Sequence, residues 1–339
     1  MMKPEMNNKE MKKEPYFSVI IPAYNAERHI KKSVKSILTN DYLDFEIIIV
    51  DDGSSDNTKS VCKSLVDEDE RIVYIYQENS GPNVARNNAI KHAKGKYILF
   101  LDADDELTKN SMKIISNELK SESYDFVNFG ISFINEKTNN VTKKITYDRM
   151  ILKNDEILNA SMEGIGVLSV CWSKAISREF LLKNNIEFIP DKVHGRDIIF
   201  SRYLSLKAKK SLVISNILVH SFEVDDSFSR TFSIKNIKSA IQVSDDLNKI
   251  FKNENIDKDI LNYAIYKHLR YISILASFRL EEFISYSSAI KLVKESFPSL
   301  TYFKNCKKLK DYLFVIWLKF PRASFYISSL LKKINIRPY

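Results

Sequence analysis

Over its first hundred residues the chain alternates apolar runs of strand length with amphipathic stretches of helix length. Phe17 to Pro22 is apolar except for Ser18 and reads as a strand covered on both faces, stopped by Pro22. After a loop at Ala23–Ala26, the residues Ile30, Val34, Ile37 and Leu38 recur on one helical stripe. Phe45 to Val50 is a second run, ending in Asp51, Asp52, Gly53, Ser54, Ser55 and Asp56, where Asp56 can cap a helix that turns Val61 and Leu65 inward. Ile72–Tyr76 predicts a third strand, and Ser80–Asn83 a turn into a helix with Ala85, Ala89, Ile90 and Ala93 inward, closed by Gly95. A fourth run, Tyr97–Leu101, follows. Strands alternating with helices imply a parallel sheet with right-handed crossovers, and ligands bind beyond the carboxyl ends of such strands.

Further on, Met112, Ile115 and Leu119 mark a helix and Asp125–Phe129 a strand. Ile131 to Tyr147 predicts a polar-tipped hairpin with Asn139 and Asn140 at its turn. Ser211–Val219 returns as strand, and from Ser233 onward the pattern is helical.

The fourth run ends in Asp102, Asp104, Asp105 and Glu106, and folding alone does not explain acids packed at a strand end. On an extended backbone Asp102 and Asp104 point to one face, and that face suits a hard divalent ion, Mg²⁺ or Mn²⁺. Asp51 and Asp52 stand at the corresponding end of the second strand, where a carboxylate can accept from a base N–H and from ribose hydroxyls. Arg86 sits in the first turn of its helix, a place the helix dipole makes unfavourable for a cation unless an anion or base answers it.

Four segments, Phe17–Asn25 (FSVIIPAYN), Val50–Asp56 (VDDGSSD), Gly81–Asn87 (GPNVARN) and Phe100–Asp105 (FLDADD), resemble in order and spacing the GT-A inverting nucleotide-sugar glycosyltransferases of family 2, the bacterial surface-polysaccharide type. The resemblance runs from about Phe17 to Arg230. It implies an α/β fold, a GT-A, Rossmann-like and mainly parallel sheet flanked by helices, with a C-terminal helical extension. It implies a donor pocket walled by Pro22, Ala23, Tyr24 and Asn25, with Asp51, Asp52, Arg86, Asp102 and Ala103 also on the donor, and a metal held by Asp102 and Asp104. His220 stands where relatives carry a Tyr or His near the metal or diphosphate. Trp172 and Lys174 match a Trp-x-Lys pattern on the acceptor or diphosphate side, and Arg230 falls in a closing loop that can bind phosphate. Asp197 matches the catalytic base, but Arg196 replaces the acid that usually precedes it. That cation is expected either to lower the Asp197 pKa or to bind an acidic acceptor.

The implied activity is metal-dependent, inverting transfer from a nucleotide diphosphate sugar, most simply a UDP-sugar, to a saccharide or lipid-linked saccharide acceptor. A sugar-phosphate nucleotidyltransferase would carry a Gly-rich, basic loop after the first strand, where Pro22–Asn25 stands instead. A degenerate, non-catalytic nucleotide-sugar binder is suggested only by Arg196.

Charge changes this picture at one end. The 339 residues carry a net +9, and nine Lys or Arg lie in residues 299–339 against Asp311 alone, so the body is nearly neutral and nucleic acid is not an expected partner. The same tail holds nine aromatic residues around Trp317 and predicts an amphipathic segment on an anionic membrane surface. The three cysteines, Cys62, Cys171 and Cys306, lack metal-type spacing and fit a reducing compartment. Expected organisation is a disordered lead-in over 1–15, a GT-A domain over 16–232 and a helical region over 233–339. The expected location is the cytoplasm, peripherally on the inner face of the membrane.

Overall fold

In a computed structural model of the chain, residues 14–190, 196–223, 234–252, 254 and 291 are described. The first half runs β1 (Phe17–Ala23), α1 (Ile30–Leu38), β2 (Phe45–Asp52), α2 (Thr58–Glu68), β3 (Ile72–Gln77), α3 (Pro82–His92) and β4 (Tyr97–Phe100). There follow β5 (Glu106–Leu107), α4 (Ser111–Ser121), β6 (Phe126–Asn135), β7 (Val141–Ile145), β8 (Met150–Lys153) and α5 (Asp155–Glu163). A 3₁₀ turn at Cys171–Ser173 leads into β9 (Lys174–Ser177), α6 (Arg178–Lys183), α7 (Arg196–Lys207), β10 (Lys210–Glu223) and α8 (Ile234–Lys252).

The strands form one sheet in the order β3-β2-β1-β4-β9-β6-β10-β5, with β7 on β6 and β8 on β10. The β3-β2-β1-β4 half is parallel, as its helix-linked strands require. Beyond β4 the sheet is mixed: β9 runs antiparallel to both β4 and β6, while β6 and β10 are parallel. Every residue of β1 and β2 is buried, because helices cover both faces. Alternation divides them. Val19, Ile21, Ile47 and Ile49 join α1, α2 and α4 in one core, and Ile20, Ile48 and Val50 join α3, α5, α6 and α7 in the other.

Two expectations change. β1 continues through Pro22 to Ala23. The Ile20 carbonyl accepts from the Leu101 N–H at 2.9 Å, and β4 pairing ends at Ile20 opposite Phe100. Pro22, two residues on, therefore has its nitrogen on a side where no ladder bond is demanded. The acids after β4 do not alternate on an extended strand; they lie on a turn closed by the Asp105 N–H to the Asp102 carbonyl at 3.0 Å. The hairpin forms as expected, β6 against β7, with Asn139 at φ +53°. The C-terminal region begins with α8, which buries Ala240, Val243, Leu247 and Phe251. The basic aromatic tail lies outside the described residues, among which no helix is long and apolar enough to cross a membrane.

Candidate active site

At the carboxyl ends of β1 and β4 a cavity of about 440 Å³ opens, lined by Pro22, Tyr24, Asn25, Ala26, His29, Pro82, Arg86, Asp102, Ala103 and Asp104. The donor residues expected at Pro22, Tyr24, Asn25, Arg86, Asp102 and Ala103 all reach it; Ala23 is buried in β1 just beneath. Asn25 takes φ +49°, which turns its carboxamide oxygen to accept from the Ser55 N–H at 2.9 Å while the Ser54 hydroxyl accepts from its own N–H. The loops after β1 and β2 are thus tied together beside the cavity.

Arg86 is at the centre. Its Nη2 donates to Asp102 Oδ1 at 2.8 Å, its Nη1 to Asn83 Oδ1 at 3.3 Å, and the guanidinium lies over the Phe188 ring at 5.5 Å. Burial opposes its charge, but Cys171, Asp102 and Asp197 together hold its pKa above the ordinary value. The cation that looked out of place in a first helical turn is answered by the carboxylates of Asp102 and Asp197.

Asp104 is pushed above the usual carboxylate range by burial and by Asp102. Asp105 is raised further by burial, Asp102 and Asp104, and accepts from the Phe222 N–H of β10 at 3.0 Å. Acids that raise the pKa of Asp104 and Asp105 in this way make a site in want of positive charge.

Asp51 and Asp52 do not line the cavity. They are buried and accept from the loop after β2, from β3 and from the loop after β3: Asp51 from the Ser54 N–H at 2.9 Å and the Tyr74 hydroxyl at 2.7 Å, Asp52 from the Ser80 and Gly81 N–H groups and Gln77 Nε2, each at 2.8 Å. Loop N–H groups away from water need acceptors, and the two acids supply them.

Asp197 stands in the first turn of α7, outside the cavity lining. Burial raises its pKa, Arg86 opposes that and Asp102 adds to it. The direction is opposite to the lowering expected from Arg196. That residue is 3% exposed and forms an ion pair with Asp246 of α8, so the cation facing Asp197 is Arg86. Arg196 is not in the lining of the cavity.

Lys174 is also displaced from its expected role. It is fully buried in β9 and Nζ donates to the carbonyls of Leu168 and Val170 at 2.5 and 2.7 Å, bracing the chain ahead of the 3₁₀ turn. Trp172, in that turn, is part-buried and meets Phe133 of β6 edge-on at 6.4 Å. His220 does not line the cavity; its Nδ1 is 2.5 Å from Ser132 Oγ, and burial lowers its pKa. Arg230 lies outside the described residues. The histidine on the cavity wall is His29, which the sequence reading passed over; its Nδ1 is 3.3 Å from Glu136 Oε1 at the hairpin. Its place four residues after Asn25, at the start of α1, was the available signal.

Residues 18–184 match the model of the glycosyl transferase family 2 domain. Over 134 residues the chain is 40% identical to a Campylobacter jejuni protein, GalNAc(5)-diNAcBac-PP-undecaprenol beta-1,3-glucosyltransferase, covering 39% of this chain and 42% of that one. Over 296 residues it is 29% identical to the minor teichoic acid biosynthesis protein GgaB of Bacillus subtilis, covering 82% of this chain and 32% of GgaB. The chain thus spans less than half the length of either relative. In fold it is similar to residues 1–349 of S. aureus TarS, crystallised with UDP-GlcNAc: the TM-score is 0.69 at 18% identity, covering 95% of this chain and 93% of that one. Its four motifs are gathered at one end of a GT-A sheet, and the stretch that carries them, residues 18–184, matches glycosyl transferase family 2.

Proposed function

We propose that this chain is a metal-dependent, inverting glycosyltransferase. It moves a sugar from a nucleotide diphosphate sugar, a UDP-sugar, to a saccharide or lipid-linked saccharide during surface-polysaccharide synthesis. The observation that carries the reading is the cavity where the Arg86–Asp102 pair meets Asp104, with Asp197 within their electrostatic reach. TarS in complex with UDP-GlcNAc and the undecaprenol-linked and teichoic acid relatives support the choice of donor and acceptor class.

In this reading the cavity wall at Pro22, Tyr24 and Asn25 receives the nucleoside, and Arg86 holds Asp102 in place for the diphosphate. Asp197, as carboxylate, takes the proton from the acceptor hydroxyl. The freed oxygen attacks the anomeric carbon, the bond from that carbon to the diphosphate breaks, and the nucleoside diphosphate leaves with the bonding pair. One displacement inverts the anomeric centre.

The donor set fits Mn²⁺ or Mg²⁺. No group of three or more His, Cys, Asp or Glu able to hold a metal occurs among the described residues, but such ions are commonly held by one or two carboxylates plus substrate phosphates, and Asp102 and Asp104 provide the two. The ion would supply Lewis-acid neutralisation of charge on the departing diphosphate. The basic aromatic tail would keep the protein on the anionic cytoplasmic face of the membrane, where a lipid-linked acceptor is met.

Release of UDP from a panel of UDP-sugars, with and without Mn²⁺ and with undecaprenol-linked saccharides as acceptors, tests the reading. Release that requires the ion is expected. Full activity after chelation would remove the metal from the mechanism, and no turnover with any UDP-sugar would reject the donor class.

A further inference from the structure

Asp197 stands in the first turn of α7, whose described residues start at Arg196. Where Asp197 points follows that turn, and the turn is gripped by its neighbours. Phe200 supplies one grip: its ring stacks on Phe188 at 3.8 Å and 5°, and Phe100 meets both rings edge-on. Arg196 supplies another through Nη1 to Asp246 Oδ2 on α8, while Asp246 Oδ1 faces Lys249 Nζ at 3.8 Å. The far end of α7 is tied to the residues just past α8, since Lys207 pairs with Glu254 and the Tyr203 hydroxyl donates to Glu254 at 2.9 Å.

We propose that Arg196 and Asp246 are positioning residues, and that their ion pair fixes the first turn of α7 and with it the Asp197 carboxylate, making α8 part of the catalytic apparatus. The proposal rests on the reading of Asp197 as the base. A buried ion pair is a weak source of stability, because the desolvation cost offsets most of the attraction. Its fork-shaped donor does fix orientation, which a hydrophobic contact of the same area would do less sharply. Arg196 does not line the cavity, so donor affinity is not its business.

Asp246→Asn keeps the shape and removes the charge. With the UDP-sugar that wild type turns over fastest, kcat should fall roughly 10- to 100-fold, the scale of a displaced catalytic group. The Kd for Mn²⁺–UDP should stay within about twofold, as for a residue that acts only in turnover. Amide hydrogen exchange at Ile198–Phe200 should accelerate. Reversing the pair, Arg196→Glu with Asp246→Arg, should recover both kcat and exchange protection. Added to Asp197→Asn, Asp246→Asn should cost nothing further.

Wild-type kcat and exchange in Asp246→Asn would overturn the proposal, as would an undiminished loss in the Asp197→Asn background. Wild-type turnover by Asp197→Asn, with the exchange response to Asp246→Asn intact, would instead reject Asp197 as the base. Should Asp246→Asn fail to unfold cooperatively, Arg196→Lys, which keeps the charge but not the fork, carries the same comparisons.

Discussion

At Asp104 burial and two neighbouring acids work against ionisation. Asp104→Asn should leave the fold intact, since it relieves repulsion, yet weaken Mn²⁺ binding by well over tenfold and take transfer with it; Asp102→Asn should do equal or lesser harm. Manganese EPR measures the first effect without any substrate. Asp197→Asn should lower turnover by ~10²–10⁴-fold, the usual worth of a positioned base, with donor affinity little changed. Because Asp197 must be ionised to act and burial raises its pKa, the acid limb of the rate profile should lie above the ordinary carboxylate value of 3.8. A pH–rate profile reads this directly. Lys174 is a different case, its pKa lowered to about 7 by burial. The unfolded chain then binds that proton more tightly than the folded one, so Lys174 adds stability as pH rises from about 7 towards 10.5, and that contribution is lost as pH falls from 10.5 to the folded value of about 7. Lys174→Met should abolish that slope and strand two buried carbonyls, at about 1–3 kcal/mol, without changing donor affinity. The charged residues were the least legible in the sequence. A Lys with no exposure is rare enough that the reading of Lys174 went to the acceptor or diphosphate side instead, and Asp246, the ion-pair partner of Arg196, lies fifty positions away, in a stretch with no motif.

The elements were far more legible. β1 and β2 are covered on both faces, so their sequences are unbroken apolar runs, and α1 shows its buried stripe openly. What the pattern hid was direction and closure. A four-residue strand such as β9 carries no mark of running antiparallel between β4 and β6, and a turn at Asp102–Asp105 looks like strand when its acids alternate. Glycine reveals one such closure after β2. Gly53 has φ +73°, and a Cβ there would lie 2.7 Å from the Asn79 backbone nitrogen. Gly53→Ala should therefore destabilise by about 1–3 kcal/mol, the strain of a left-handed non-glycine residue, and should loosen the Asp52 anchor at Ser80 and Gly81. Urea denaturation and the donor KM together check it.

On the scale of the molecule, a nearly neutral body carries a basic, aromatic tail. Flotation with anionic and with neutral liposomes should show salt-sensitive binding to the anionic ones only, lost on deleting the residues after Ser299. Equal recovery from both lipids would argue against a membrane-bound tail. The placement of β9 has a further consequence, for how the chain is made. During synthesis β1 to β4 can pair as soon as β4 has emerged, but the free side of β4 stays an open edge until residues 174–177 arrive to cover it. For some seventy residues of translation a buried, aromatic-bearing strand offers unpaired N–H and carbonyl groups to any passing chain. A nascent chain stalled just before Lys174 should bind holdase chaperones and aggregate when released, whereas one stalled after completing β10 should not.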